Sequence, residues 1–189
     1  MLFVQTLPAR VPLRLAMSVF LADAPAHHLS QERSWHLLSK TTISLRPFTP
    51  HDQEAARGLI LQGLGDRFGF IDETLNPDLD DITAHYLAQG HLFLLAFDGE
   101  TLIGTGALLI QPDRSGQLVR VSTHRAYRRQ GIARTICQRL IEQARQHGLT
   151  HLLVETNHDW YDAIRLYETL GFVACLREQY GVRLRMDLA

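Results

Sequence analysis

The segment from Val121 to Arg134 constrains the fold of this chain more than any other part of the sequence. It alternates like a strand, passes through a short basic turn and reaches Gly131 at the start of a long amphipathic pattern. A helix start leaves roughly four backbone N–H groups without partners and carries a partial positive charge, and a glycine there lets an anion approach the backbone. With Arg128, Arg129 and Arg134 beside it, the turn predicts a pyrophosphate-binding site.

Two common phosphate-binding motifs are excluded. No G-K-[ST] follows the glycine, so the turn is not a P-loop, and G-x-G-x-x-G is absent, so it is not a Rossmann fingerprint. Gly104-Thr105-Gly106 lies inside a predicted strand with no helix behind it, and we interpret it as a bulge or a packing contact. The residues alone also allow the basic turn to be a solvated helix start with ordinary capping.

The hydrophobic periodicity predicts a mixed sheet with helices on both faces, because a meander of strands is followed by a strand–helix–strand crossover. Strands are predicted at 43–48, 92–97, 102–110, 117–124, 151–156, from 172 onward and at 182–188, and helices after 50, at 78–89, 131–147 and 160–170. Within 117–124 the alternation places Val119, Val121 and Thr123 on one face and Arg120 and Ser122 on the other.

The composition is that of a globular domain with little net charge. Of 189 residues, 46% are hydrophobic and 21% charged, and the formal charge is −1. This balance gives no reason to expect nucleic acid or an anionic membrane as a partner. Cys137 and Cys175 have no CxxC spacing, and the ten histidines form no HExxH pattern, so we expect no metal site.

Residues 1–42 differ in character from the rest of the chain, and we divide the sequence into an N-terminal extension, 1–42, and a domain, 43–189. The extension loosely resembles a secretory signal, with two arginines, a short apolar run and Ala22-Asp23-Ala24. We favour the alternative that it is poorly ordered or mis-started, with Met17 as a start, because the signal match is weak.

Two motifs resemble the GNAT N-acetyltransferase superfamily. Arg128-Arg129-Gln130-Gly131-Ile132-Ala133 is similar to its R/Q-x-x-G-x-G/A acyl-CoA signature, with Ala133 at the second small position. The segment 163–172, A-I-R-L-Y-E-T-L-G-F, is similar to its A-I-x-L-Y-E-x-x-G-F helix–strand junction. The resemblance covers about 43–189. It implies an α/β (α+β) fold, a mixed and mostly antiparallel central sheet of about seven strands with helices on both faces.

The resemblance also implies that acetyl-CoA is the co-substrate. In the family a splay between the fourth and fifth strands receives the pantetheine arm, which would pair with the backbone of Val121 and Thr123 like an added strand. The Val121 N–H would polarise the thioester carbonyl, and the N–H groups of residues 129–134 would hold the pyrophosphate. The implied acetyl-CoA-binding residues are Val121, Ser122, Thr123, Arg128, Arg129, Gln130, Gly131, Ile132, Ala133, Arg134, Asn157, Trp160 and Tyr167.

The chain departs from the family pattern at Trp160, where an asparagine often contacts the pantetheine arm. Asn157, one turn earlier, is the substitute we expect, unless the contact is lost. Trp160 itself would pack against the pantetheine, against the acceptor or simply in the core.

The resemblance makes Tyr167 the general acid. Amine attack on a thioester expels a thiolate, and a tyrosine hydroxyl, with an ordinary pKa of about 10, can protonate it. The alternative is a core tyrosine, since Tyr167 lies on the apolar stripe of its helix. Glu155, near the end of the fifth strand, is the candidate general base, with His124 or a water relay as alternatives. Glu155 could also be a surface or ion-paired carboxylate with no catalytic role.

We therefore expect an acyltransferase that moves an acetyl group to a primary amine of a small molecule in a ternary complex. A cysteine acyl-enzyme is not expected, because no cysteine lies in a motif. An acidic stretch suggests a cationic amine, the alternative being a solvated loop with helix-start charges; its members are Asp72, Glu73, Asp78, Asp80 and Asp81.

Other functions stay open at this stage. The chain could acetylate a protein N-terminus or lysine, or it could be a non-catalytic acyl-CoA-binding regulatory module. We expect a cytoplasmic protein with no membrane or nucleic-acid partner, and the sequence leaves a homodimer open.

Overall fold

The computed structural model describes residues 43–188, so the expectations for residues 1–42 lie outside the described part of the chain. Within it, seven strands form one sheet in the order β1-β2-β3-β4-β5-β7-β6. All neighbours are antiparallel except β4 and β5, which run parallel. The strands are β1 Ile43–Pro47, β2 Leu92–Asp98, β3 Thr101–Ile110, β4 Ser115–Thr123, β5 His151–Asn157, β6 Val173–Arg177 and β7 Gly181–Asp187. The mixed, mostly antiparallel sheet expected from the sequence is confirmed.

Between Ile43 and Leu188, four α-helices and five single 3₁₀ turns connect the strands. The helices are α1 Gln53–Phe68, α2 Ile82–His85, α3 Ile132–Gln146 and α4 Tyr161–Thr169. The 3₁₀ turns are Pro50–Asp52, Glu73–Leu75, Pro77–Leu79, Leu87–Gln89 and Arg125–Tyr127. Among residues 43–188, no helix is long and apolar enough to cross a lipid bilayer.

The helices cover both faces of the sheet, as predicted, and each face has its own core. On one face Ile136 and Leu140 of α3 are fully buried against the strands, while on the other Ile82 and Leu79 are fully buried near α1. Strand β2 supplies alternate residues to the two cores, as a strand buried on both faces must. Each buried aliphatic side chain contributes roughly 1.5–3 kcal/mol to folding.

The predicted helix over 78–89 is wrong in its extent. The structure divides it into Pro77–Leu79, α2 and Leu87–Gln89. The division has a local cause, because the Asp81 side chain accepts a hydrogen bond from the backbone N–H of Ala84 at 2.8 Å and starts a new helix at Ile82.

The glycines of the Gly104-Thr105-Gly106 segment let α3 lie close to β3, so the packing interpretation is correct. A Cβ on Gly106 would fall 2.5 Å from Cγ2 of Ile136, and one on Gly104 would fall 2.8 Å from Cγ2 of Ile132. The register shift between Thr105 and Ala107 shows that a bulge is also present, but on the opposing strand, β4.

Candidate active site

The central feature of the site is an opening between β4 and β5. The two strands pair only from Ser115↔His151 to Leu118↔Val154. Beyond these pairs β4 continues to Thr123 and β5 to Asn157 without being joined in register. The edge of β4 beyond Leu118 therefore offers unpaired backbone groups, which is the splay that the resemblance implied.

A β-bulge at Arg120 and Val121 shapes this edge. Thr105 of β3 pairs with Ser122 and Ala107 pairs with Val119, so one extra residue is inserted in β4. The insertion corrects the predicted alternation: Val119 packs in the core near α1, whereas Val121 packs in the core near α3. A strict period of two cannot foresee this change of face.

The bulge also decides which backbone groups face the opening. His124 donates its backbone N–H to the Ile103 carbonyl at 2.9 Å, which places this residue pair in the hydrogen-bonded phase of the ladder between β3 and β4. Since the phase alternates, Ser122 directs its backbone groups to β3 and Thr123 directs its own to the open edge. The Ser122 hydroxyl faces α1, where it lies 3.5 Å from the Leu59 carbonyl oxygen.

At the end of β4 the basic turn presents a row of backbone donors. The first helical hydrogen bond of α3 runs from the N–H of Thr135 to the carbonyl of Gly131, at 2.9 Å. None of the six N–H groups from Arg129 to Arg134 donates a hydrogen bond within residues 43–188. Arg129, with φ of 65°, and Gly131, with φ of 85°, are both left-handed, a backbone pattern that makes anion-binding concavities.

The side chains of the turn have separate partners. Arg128 donates from Nη2 to the Asp66 carboxylate at 2.6 Å and from Nε to the Thr123 carbonyl at 3.3 Å. Arg134 donates to the Thr169 hydroxyl at 2.7 Å, and Gln130 donates to the backbone carbonyl of Ala126. Ile132 is buried beneath the turn, whereas Ala133 is half-buried at the start of α3. An anion at this turn would therefore be held mainly by the backbone.

Tyr167 of α4 is almost fully buried, with 7% of its surface exposed, and its ring meets Phe172 edge-on. Its hydroxyl forms no hydrogen bond with any residue in 43–188. Among these residues, every side-chain nitrogen or oxygen that solvent cannot reach has a hydrogen-bond partner, so the unpaired Tyr167 hydroxyl must be reached by solvent. The hydroxyl therefore borders an accessible gap. Burial raises the pKa of Tyr167 far above its usual value, nearby Cys137 adds to the rise and the charge of Arg67 opposes it. The hydroxyl keeps its proton and is able to donate it.

The candidate base has a partner of its own. Glu155 is the first residue of β5 beyond the part paired with β4, and its carboxylate accepts a hydrogen bond from Nε of Arg183 at 2.6 Å. His124 caps the adjoining 3₁₀ turn and packs edge-on against Tyr127, so its role in the described structure is local. Asn157, the last residue of β5, is half-buried beside the opening.

A cleft of about 370 Å³ lies between the end of α1, the basic turn and the start of α4. Its lining residues are Asp66, Arg67, Arg128, Asp159, Trp160 and Asp162. Trp160 caps α4 and packs against Phe68, with ring centroids 5.3 Å apart, while the Arg67 guanidinium lies 4.6 Å from the centre of its ring. Trp160 is therefore a wall of the cleft and not a residue of the buried core.

The acidic stretch is engaged within the protein. The partners are Thr74 N–H for Asp72, Arg57 for Glu73 and Asp80, Arg120 for Asp78, and Ala84 N–H for Asp81. These contacts correspond to the alternative in which the carboxylates cap turns and form ion pairs. These contacts do not test the cationic acceptor, which stays a prediction.

Sequence reasoning missed Arg120 and Thr105. The Arg120 side chain is only 9% exposed, and it forms an ion pair with Asp78. Thr105, which is fully buried, donates its hydroxyl to the Arg120 carbonyl at 2.8 Å. The only signal in the sequence was an arginine between two valines, which ordinary alternation explains as a solvent-facing residue.

Comparisons with known proteins agree with this architecture. The model of the Acetyltransferase (GNAT) family matches residues 60–172, which include the basic turn and α4. N-acetyltransferase 8B of Rattus norvegicus is 34% identical over 109 residues, 54% of this chain and 49% of the relative. The uncharacterized N-acetyltransferase YsnE of Bacillus subtilis is 34% identical over 85 residues, 44% of this chain and 56% of the relative. The chain thus spans about half the length of the curated relatives it matches.

Solved structures share the fold at low sequence identity. A GNAT-family acetyltransferase from Staphylococcus aureus has a TM-score of 0.71 at 20% identity, covering 78% of this chain and 99% of that one. The PaiA N-acetyltransferase from Thermoplasma acidophilum, solved with coenzyme A, has a TM-score of 0.70 at 16% identity with the same coverage. With the family match over more than half of its length, this chain belongs to the acetyltransferase (GNAT) family.

Proposed function

We propose that this chain is an acetyl-CoA-dependent N-acetyltransferase that transfers an acetyl group to a primary amine of a small molecule by direct attack in a ternary complex. One observation carries the proposal: the six free N–H groups of residues 129–134 lie at the end of the strand whose edge opens away from β5. A diphosphate fits the first feature and an extended pantetheine arm fits the second.

In this proposal the backbone holds the co-substrate. The N–H groups from Arg129 to Arg134 bind the diphosphate, and the free edge of β4 pairs with the arm through Val121 and Thr123. Asn157 and Trp160 border the arm from the β5 side. Ser122 contributes least, because its backbone is directed to β3 and its hydroxyl faces α1.

Three groups then act on the reacting atoms. The Val121 N–H donates to the thioester oxygen and stabilises the negative charge that develops there. The Tyr167 hydroxyl donates its proton to the departing sulfur. Burial raises the pKa of Tyr167, so the phenol still carries that proton across the neutral range. Glu155, at the mouth of the opening, takes the proton that the amine must lose.

A cysteine acyl-enzyme is not part of the proposal. Cys137 is the cysteine whose charge affects the pKa of Tyr167. Burial raises the pKa of the Cys137 thiol itself to about 12, with the charge of Arg134 opposing the rise. A thiol of that pKa is a poor nucleophile at neutral pH. Cys175 is exposed on β6. Direct attack by the amine therefore requires fewer assumptions than a two-step transfer.

The acceptor is proposed as a small molecule because the cleft beside Trp160, about 370 Å³, is large enough for a small amine. We also propose that residues 43–189 form the catalytic domain and that the protein acts in the cytoplasm, where acetyl-CoA is available.

Calorimetry with acetyl-CoA and an amine panel tested for CoA release together test the function. We expect one acetyl-CoA per chain and release of free CoA that depends on an amine. Binding without turnover of any amine would favour the regulatory module, and turnover of peptides alone would favour a protein acetyltransferase. Absence of acetyl-CoA binding by the folded protein would refute the proposal.

A further inference from the structure

The peptide that joins Arg120 to Val121 is held from two sides, and the inference drawn from it rests on the proposed function of the β4 edge. Arg120 has φ of 54°, in the left-handed region that side-chain-bearing residues rarely adopt. Such a conformation persists only where the surroundings fix it. The structure shows what fixes it here.

The first anchor is the Arg120 side chain. Its Nε donates to Oδ2 of Asp78 at 2.9 Å, its Nη1 donates to Oδ1 of Asn76 at 2.9 Å, and its Nη2 pairs with the other oxygen of Asp78. The Tyr86 hydroxyl donates to the same carboxylate. Burial is the largest single influence and would lower the pKa of Arg120, but the charge and hydrogen bonds of Asp78 and Tyr86 together outweigh it, so the pKa is raised and the guanidinium stays charged.

The second anchor is the Thr105 hydroxyl, which donates to the Arg120 carbonyl at 2.8 Å. No cis peptide bond occurs in residues 43–188, and a trans peptide directs its N–H opposite to its carbonyl. With the carbonyl held on the β3 side, the Val121 N–H points to the opposite side, the edge of β4 that β5 has left. The two anchors together fix the plane of this one peptide.

We propose that Thr105 and Arg120 are positioning residues that aim the Val121 N–H at the thioester oxygen of bound acetyl-CoA. Neither touches the reacting atoms. Thr105 holds the carbonyl of the donor peptide, and Arg120 ties the same peptide to Asn76 and Asp78. The segment between α1 and α2 is thereby linked to the polarising N–H.

The test uses acetyl-CoA labelled with ¹³C at the thioester carbonyl, whose stretching frequency reports hydrogen bonding to that oxygen. Thr105→Val removes the hydroxyl at nearly constant shape, and Thr105→Ser retains it. We expect wild type to lower the frequency on binding and Thr105→Val to return it towards the free value. The kcat of Thr105→Val should fall about tenfold or more, because a misaimed oxyanion donor loses most of its effect. The Kd for acetyl-CoA should stay within about twofold, since the diphosphate is bound elsewhere. Thr105→Ser should restore both the frequency and kcat.

Arg120→Lys is the second variant, in case Thr105→Val does not fold. It keeps a charge beside Asp78 but loses the planar fork, and it should move the frequency in the same direction. Arg57→Gln is the matched control, because it breaks the exposed contacts of the same segment to Glu73 and Asp80 without touching the donor peptide. It should leave frequency and kcat unchanged.

The outcomes separate the two proposals. If wild type binds no acetyl-CoA or leaves its carbonyl frequency at the free value, the proposed function fails. If wild type lowers the frequency and both Thr105→Val and Arg120→Lys lower it equally, with unchanged kcat, the positioning role is overturned and the function stands.

Discussion

Glu155 and Arg183 face each other across β5 and β7, with Nε and Nη2 of the guanidinium each 2.6 Å from the same carboxylate oxygen. Both side chains are close to half exposed, at 43% and 40%. A pair of this kind contributes at most about 1 kcal/mol to stability, because water screens it. We therefore expect the main contribution of Glu155 to be to catalysis, because it lies at the mouth of the opening between β4 and β5.

Glu155→Gln tests this directly. We expect kcat for the best amine to fall roughly 10- to 100-fold near neutral pH, because a neutral amide cannot accept the proton of the acceptor ammonium. Asp187→Asn is the matched control, since it removes the neighbouring exposed ion pair with Arg185 on β7. Equal and small effects in both variants would mean that Glu155 is only a surface partner of Arg183.

Tyr167→Phe tests the proton donor. The ring and its contact with Phe172 remain, so the Kd for acetyl-CoA and the melting temperature should change little. The kcat should fall about 100-fold at saturating substrates, as expected for removal of a general acid. Since burial raises the pKa of Tyr167, wild-type activity should show no loss from ionisation of this residue up to pH 9 or about that value. An acetyl thioester whose leaving thiol has a lower pKa than that of CoA should lose less kcat in the variant. An unchanged kcat with acetyl-CoA would assign Tyr167 to the core.

Gly131→Val tests the anion-binding turn. Gly131 and Gly90 both have left-handed backbones, with φ of 85° and 77°, and both have open space where a side chain would go. Valine at either position should cost roughly 1–2 kcal/mol of folding free energy. Only Gly131→Val should also weaken acetyl-CoA binding, by about tenfold or more, because it turns the N–H groups at the start of α3.

A shortened donor isolates the cause of that loss. S-acetyl-pantetheine lacks the diphosphate, so its KM should be the same in wild type and Gly131→Val. If Gly131→Val binds acetyl-CoA as tightly as Gly90→Val does, the turn at Gly131 is not part of the acetyl-CoA site.

The elements that depend on neighbouring residues in the sequence could be predicted from it. The apolar stripe of α3 repeats without a miss, and Gly131 with its neighbouring arginines marks the helix start, so the helix and the place where it begins could both be predicted. The binding of an anion at this turn stays a prediction. The bulge could not, because one extra residue in β4 depends on the Thr105 hydroxyl and on Asp78, far away in the sequence. The partners of the acidic stretch were hidden for the same reason, since charge alone does not say which carboxylate meets which arginine.

Gly106→Ala tests the close packing of α3 on β3. The added Cβ would lie 2.5 Å from Cγ2 of Ile136 and 3.2 Å from Cδ1 of Leu140, so the helix or its side chains must move. We expect a loss of about 1–3 kcal/mol in the free energy of unfolding, measured by urea denaturation. Gly58→Ala is the control, because Gly58 lies within α1 with nothing within 4 Å of its Cβ. That substitution should stabilise the protein by about 0.5–1 kcal/mol, and equal effects at the two positions would contradict the packing argument.

Asp52 gives the fold a pH dependence whose sign can be stated. Its carboxylate accepts two hydrogen bonds from Arg46, at 2.7 and 2.6 Å, and two more from the hydroxyl and backbone N–H of Thr49. The Arg46 hydrogen bonds, followed by those of Thr49, lower the pKa of Asp52 well below its ordinary value, against an opposing effect of burial. A depressed folded pKa means that the stabilisation is complete above about pH 4 and is lost as the pH falls through the folded pKa.

Asp52→Asn should therefore cost about 2 kcal/mol of folding free energy at pH 7, the range for hydrogen bonds to a charged group. The difference from wild type should shrink steadily below about pH 4, where protonation removes the same charge from the native protein. Urea denaturation at a series of pH values measures both. Arg46→Gln should flatten the acid dependence in the same way, because it removes the group that depresses the pKa. If the free energies of unfolding of wild type and Asp52→Asn differ by the same amount from neutral pH down to about pH 2, another carboxylate governs acid unfolding.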